Sequence, residues 1–312
     1  MIGVDKKNTK AVPSNLLTEY LTFLQDHQCL GRSTINARRN YVAMFLTVLK
    51  KRATPDNIRG LTAGTIHDYI IKITKSSSRS NSKQLVTSIR SFLRFLHFRG
   101  YSNYDLVPAV PTITTPKLAS LPRAIPWNWV KKLLAAPDKR TRRGRRNYAI
   151  LQLLVTYGVR IGQALSLRIS DIKWKEGLIN FHSNKGGKSL CLPLQKDVTE
   201  ALLNYIRKDR RNAPFQQLFL TVKGRQQKPL SCNINLKPFL KTCHKLNSIK
   251  SAIGGWHSIR HSFATRLMEQ EVPIKTISDL LGHRCIDTTF IYTKVDLTHL
   301  RLLAREWPEV LS

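Results

Sequence analysis

Apolar residues recur every three or four positions through residues 14–99. Leu17, Tyr20, Leu21 and Leu24 share one helical face behind Ser14, a residue able to cap a helix. Tyr41, Phe45, Leu46 and Leu49 do the same behind Ser33. Ile66, Tyr69, Ile70 and Ile73 mark a third helix. A fourth follows the polar stretch from Ser76 to Ser82, with Ile89, Phe92, Leu93, Phe95 and Leu96 inside and Gly100 at its end.

The rhythm then breaks. Pro108, Pro111, Pro116 and Pro122 fall in a stretch rich in Thr and Ser, which favours an extended connection over 108–125. Beyond it the pattern is mixed. Helices are expected over 127–136, 145–157, 162–168, 195–208, 231–246, 258–270, 274–281 and 296–306. Two short alternating runs, 178–182 and 189–193, flank Lys185, Gly186, Gly187 and Lys188 and predict a hairpin. The expected fold class is mainly α with a small β-sheet. A helical domain over 1–107 is joined by the connection to a second domain over 126–312.

At 42% hydrophobic residues, the 312-residue chain can bury two cores, which excludes wholesale disorder. Charge narrows the class further. Lys and Arg number 52 against 19 Asp and Glu, a net charge of +33. Residues 1–115 hold 17 basic and 6 acidic side chains, and residues 116–312 hold 35 and 13, so both parts should touch the same polyanion. Nucleic acid is the first expectation and an acidic membrane surface the second. Arg32, Arg38, Arg39, Lys83, Arg90 and Arg94 lie on or between the first four helices and are candidates for phosphate contact.

Other classes fall away. No run of about 18 apolar residues is present, so no membrane span is expected. The opening MIGVDKKNTK has no apolar signal core, so secretion is not expected and a reducing cytosol fits. The five cysteines are odd in number and form no CxxC pair; they read as small buried side chains, with neither disulfides nor a metal site. No GxxxxGK[ST] loop occurs, and no cofactor is expected.

Three short segments carry chemistry. In Trp256-His257-Ser258-Ile259-Arg260-His261, His257 and Arg260 are three apart and share a face at a helix start. Arg presents a planar fork that grips two phosphate oxygens, and His exchanges a proton near neutral pH. In Leu281-Gly282-His283, Gly282 suits a left-handed helix end that would expose His283, and Tyr292 follows nine residues later. Upstream, Tyr157-Gly158-Val159-Arg160-Ile161-Gly162-Gln163 puts an Arg in the first turn of a helix, after a glycine that permits a sharp reversal.

Together these residues resemble the tyrosine recombinases, the family of phage integrases and Xer recombinases. The resemblance runs from about residue 14 to 306 and is strongest over 156–168 and 256–292. It implies that Arg160 is the first active-site Arg and Lys185 the hairpin Lys. His257 and Arg260 match the HxxR pair, His283 the His (sometimes Trp) after LG, and Tyr292 the nucleophile. Lys188 rivals Lys185 and otherwise reads as a backbone contact. The family often has Glu where Gln163 stands; Gln still accepts a hydrogen bond. The resemblance further implies a core-binding helical domain and an α+β catalytic domain clamped around double-stranded DNA. It implies a 3′-phosphotyrosyl link and strand exchange through a Holliday junction in a homo-tetramer. The apolar stripe Leu297, Leu300, Leu303, Ala304 and Trp307 would dock on a neighbouring subunit.

The same chemistry can be argued from the side chains. A phenol with a pKa near ~10 is a poor nucleophile at neutral pH, and two neighbouring guanidinium groups are expected to cheapen its anion. Arg160, Arg260 and His283 suit the charge that builds on the phosphoryl oxygens. Lys185 suits the departing 5′-oxygen, and His257 could assist proton transfer. The covalent ester keeps the energy of the broken bond, so rejoining needs no ATP. A mobile-element integrase is the leading expectation. A type IB topoisomerase-like enzyme and a catalytically inert DNA-binding derivative are the rivals.

Overall fold

The computed structural model describes residues 14–49, 58–114, 124–183, 189–210, 213–222, 227–231, 255–283, 285–290 and 292. The four N-terminal apolar runs become α1 (Ser14–Asp26), α2 (Arg32–Leu49), α3 (Ala63–Lys75) and α4 (Arg79–Phe98). Thr62 caps α3 by accepting the Thr65 amide, and Ser78 caps α4 by accepting that of Asn81. α4 ends in a Schellman turn. Gly100 sits at φ 71°, and the amides of Gly100 and Tyr101 return to the carbonyls of His97 and Leu96. The apolar faces meet in one core, where Tyr20 meets Phe92 edge-on at 5.2 Å and Phe45 meets Tyr69 at 4.8 Å.

Packed structure reaches past residue 107, into the stretch whose prolines suggested an extended connection. Val107–Ala109 form a 3-10 turn, with Pro108 in a first-turn position that needs no N–H. Leu106 and Val110 enter the helical core. Arg90 ties this segment down, donating to the Val110 carbonyl at 3.0 Å and to Thr112 Oγ1 at 2.8 Å. The chain divides into two compact units, 1–117 and 118–312.

The second unit opens with α5 (Trp127–Ala135), α6 (Arg142–Tyr157) and α7 (Ile161–Ser166). α6 begins three residues earlier than its apolar pattern indicates. Thr141 caps it by accepting the Gly144 amide, and the basic first turn carries no apolar rhythm to read. From Ala149 to Leu154 α6 is buried on every side, as befits the central helix against which α5, α8 (Lys196–Asp209) and α9 (Trp256–Glu269) pack. Arg145 grips Asp209 of α8 with two bonds of 2.6 and 2.7 Å.

A three-stranded antiparallel sheet, β1 (Ile172–Lys173), β2 (Leu178–Phe181) and β3 (Leu190–Pro193), pairs in chain order. Ile179 stands opposite both Ile172 and Leu192. β1 adds to the expected hairpin; two residues are too few to show an alternation. α10 (Ile274–Leu280) and a 3-10 turn, Ile286–Thr288, lead to Tyr292.

The helix expected over 231–246 lies outside the described residues beyond Ser231. So do the helix over 296–306, the turn with Lys185 and Lys188, the stripe from Leu297 to Trp307, and Cys232 and Cys243. The cysteine expectation is corrected at the other three positions: Cys29, Cys191 and Cys285 are exposed. Cys29 occupies the α1–α2 turn, Cys191 the outward face of β3, and Cys285 a loop, all places where the core does not reach. Among the described residues no helix is long and apolar enough to cross a membrane.

Candidate active site

Arg260 sits on the inner face of α9 and is only 3% exposed. Its Nη1 donates to the Gly158 carbonyl at 2.8 Å and its Nη2 to the Leu281 carbonyl at 2.6 Å. Those carbonyls belong to the C-terminal ends of α6 and α10, where helices leave acceptors unpaired and present partial negative charge. Both ends are built by left-handed glycines, Gly158 at φ 60° and Gly282 at φ 61°. A Cβ on Gly158 would overlap the Phe263 ring of α9, so this glycine also permits the close approach of α9. α10 closes as a Schellman turn, with the Gly282 and His283 amides returning to Asp279 and Ser278. Burial first, then the neighbouring Arg160, holds the Arg260 pKa down to about 10, so the group stays cationic at neutral pH. Two of its five N–H groups serve the carbonyls, which leaves three for a ligand.

Arg160 is exposed and forms the N-cap of α7. Its backbone N–H donates to Oε1 of the buried Gln163 at 3.1 Å. Gln163 therefore fixes the Arg160 main chain and leaves the side chain to reach outward. Among the described residues the guanidinium makes no hydrogen bond.

His283 is 9% exposed, which corrects the expectation that the Gly282 turn would bare it. The turn folds back under Thr289, whose Oγ1 lies 2.7 Å from His283 Nδ1. Burial, then Arg260, Arg160 and His261, push the His283 pKa down to about 4, so the ring is neutral. The unfolded chain, with an ordinary histidine near 6.5, takes up a proton first as pH falls. The stability this neutral ring contributes is complete above pH 6.5 and is lost as pH drops toward 4. Between pH 7 and pH 5, urea midpoints of the wild type should therefore fall further than those of His283→Gln. Equal losses would contradict a buried neutral His283.

Tyr292 is 2% exposed, and its hydroxyl lies 3.0 Å from Nδ1 of His261. Burial raises its pKa; Arg260 and Arg160 oppose the rise and do not reverse it. The expected cheapening of the phenolate is thus corrected, because loss of water outweighs the two cations in the resting site. Burial, then His257 and Arg260, lowers the His261 pKa and so favours a neutral ring beside the phenol. The His261 ring centre is 5.6 Å from that of Tyr292 and 6.2 Å from that of the exposed His257. The sequence reading chose His257 and passed over His261. The available signal was the four-residue spacing of the two, which puts both rings on one face of α9.

In the first unit, Arg38 and Lys83 line a groove of about 510 Å³ between α2 and α4, with Ser33, Thr34, Gln84 and Thr87. Arg38 Nη1 also bonds Gln28 Oε1 at 3.1 Å and Ser91 Oγ at 2.8 Å. Arg39 is exposed on α2. Arg90 makes its bonds to Val110 and Thr112 through Nη2 alone, so it can hold the chain after α4 and still offer Nη1 and Nε.

A buried tyrosine beside two arginines and two neutral histidines, gathered at the ends of α6, α9 and α10, has the composition of a site for phosphodiester transfer. Comparison with known proteins agrees. The model of the phage integrase family matches residues 124–299. The tyrosine recombinase XerD of Staphylococcus saprophyticus is 30% identical over 94% of this chain and 98% of its own length. The protein y4rA of Sinorhizobium fredii, by name an integrase/recombinase, is 32% identical over 93% and 70%. The crystal structure of the XerH recombinase bound to a palindromic difH substrate shares the fold, with a TM-score of 0.70 at 20% identity over 94% and 85%. The chain belongs to the phage integrase family and is a tyrosine-type site-specific DNA recombinase.

Proposed function

We propose that Tyr292 cuts and rejoins a recombination site through a 3′-phosphotyrosyl bond. The observation that carries this reading is the 3.0 Å contact of its hydroxyl with a neutral His261, inside a cluster holding Arg160, Arg260 and His283. A DNA phosphate enters against the Arg160 fork and the remaining N–H groups of Arg260. His283 donates to a non-bridging oxygen. These contacts stabilise the charge of the five-coordinate phosphorus. His261 takes the phenolic proton as Tyr292 Oη bonds to phosphorus, and His257 passes protons between His261 and solvent. The bond from phosphorus to the 5′-oxygen breaks, and Lys185 supplies the proton that oxygen needs. Rejoining runs the same steps backward from a free 5′-hydroxyl. One phosphoester replaces another, so no nucleotide is consumed.

Lys185 is favoured over Lys188 because in the sequence it directly precedes Gly186 and Gly187, whereas Lys188 comes two residues before β3. A substrate with sulfur at the 5′-bridging position releases a thiolate that needs no proton. On it Lys185→Ala should recover most of its cleavage rate, while Lys188→Ala shows a modest defect on either substrate. Rescue of Lys188→Ala alone reverses the assignment.

The first unit contacts the same DNA through Arg38, Arg39 and Lys83, and the positive charge on both parts supports contact by each of them. A palindromic site, such as the one XerH binds, presents one half-site twice. Two copies then bind each duplex by two-fold symmetry, and exchange between two duplexes needs four, a homo-tetramer. The biological setting is the integration or excision of a mobile element, inside a bacterial-type cytoplasm. The test is to express the protein with the DNA that flanks its gene and sequence the junctions. Reciprocal junctions at one fixed crossover, absent without Tyr292, are expected. Scattered or absent junctions would sink the reading.

A further inference from the structure

Thr289 is completely buried at the heart of the cluster, and no step above uses it. Its Oγ1 lies 2.7 Å from His283 Nδ1. Its backbone holds the approach to the nucleophile: the Thr289 amide donates to the Ile286 carbonyl at 2.7 Å, and the Thr289 carbonyl accepts the Tyr292 amide at 3.0 Å. We propose that Thr289 is a positioning residue that keeps the single ring proton of His283 on Nε2, where it can be donated to the phosphate. This rests on the reading of His283 as a phosphate donor.

A neutral imidazole has one N–H and one bare nitrogen, and the partner of one nitrogen decides the state of the other. A buried hydroxyl must put its own proton on an acceptor. Among the described residues, His283 Nδ1 is the acceptor within reach of Thr289 Oγ1. Thr289 therefore donates, Nδ1 carries the lone pair, and Nε2 carries the proton. Were the bond reversed, the hydroxyl proton would be buried unpaired and Nε2 would meet a phosphate oxygen lone pair to lone pair. Burial, then the cations Arg260 and Arg160 and the nearby His261, discourages a second ring proton, so the tautomer is the variable left to control. One residue thus sets both the donor at the phosphate and the turn that delivers Tyr292.

Two substitutions separate the hydroxyl from its packing. Thr289→Val keeps the shape and removes the proton; Thr289→Ser keeps the proton and removes a methyl group. On a nicked duplex carrying the recombination site, Thr289→Val should slow cleavage by roughly tenfold to a hundredfold with DNA affinity unchanged. Thr289→Ser should stay close to wild type. A packing role predicts the opposite order, and that order would overturn the proposal. A second readout needs no variant of Thr289. With histidine labelled by nitrogen-15 and His283 assigned by difference from His283→Gln, the wild-type protein without DNA should show a pyridine-like Nδ1 and a pyrrole-like Nε2. A pyrrole-like Nδ1 refutes the assignment. The cleavage rate of His283→Gln tells the two failures apart. If it matches wild type, the phosphate role of His283 falls, and the proposal with it. If it is slow while Thr289→Val is fast, only the Thr289 proposal falls.

Discussion

Tyr292→Phe should bind DNA as tightly as the wild type and form no adduct that survives denaturant. The aromatic ring packs with Ala264, Ile277 and Leu281, and Phe keeps that packing. What disappears is one oxygen, which supplies both the bond to His261 and the nucleophile. The nearby Thr289 Oγ1 faces His283 and does not replace it. The fold should lose only the modest stability of one part-buried hydrogen bond, about 1 kcal/mol. A nicked duplex that traps covalent protein on a denaturing gel, run beside a gel-shift titration, checks both halves. Adduct formed by the Phe variant would move the nucleophile elsewhere.

Arg260→Lys should slow cleavage by roughly 10² to 10³ and also lower stability, whereas Arg160→Lys should slow cleavage and leave stability nearly unchanged. The contrast follows from where each fork is anchored. Arg260 bridges the ends of α6 and α10 through two separate nitrogens and still offers N–H groups to a phosphate. Lysine has one nitrogen and cannot meet both carbonyls and two phosphate oxygens together. One helix end would then keep a buried unpaired carbonyl, at about 1–3 kcal/mol. Arg160 is exposed and holds nothing among the described residues, so its loss is felt at the phosphate. Cleavage rates beside thermal melting of both variants measure the difference. Near wild-type cleavage by Arg260→Lys would remove the two-pronged grip from the mechanism.

Much of this arrangement could be read from the chain, and what could not has physical reasons. The helices α1 to α4 each bury a stripe at helical spacing, so their existence was plain. The first turn of α6 was not, because Thr141 and a run of arginines begin it before any apolar residue appears. Gly158 and Gly282 announced helix ends correctly. They could not announce that Arg260 joins those ends, a contact spanning 102 residues of sequence on one side. The burial of His283 was missed for the same reason: a left-handed glycine fixes where the chain turns, and packing decides what covers it. The direction of the Tyr292 shift depends on the balance of burial against charge, and burial is invisible in a linear pattern. His257 and His261 share a face of α9; only the path of the chain through Ile286–Thr288 selects His261 for the phenol.

The proposed mechanism turns on a covalent bond between Tyr292 and the 3′ side of a cleaved DNA strand. The most direct measurement is mass spectrometry of the trapped adduct after nuclease and trypsin digestion. Tryptic cleavage after Arg284 and Lys294 yields the peptide 285–294, which carries Tyr292. That peptide should bear a nucleotide joined through its 3′-phosphate to the Tyr292 oxygen, and the released strand should begin with a 5′-hydroxyl. A nucleotide on any other residue, or a link through a 5′-phosphate, would rule out that bond.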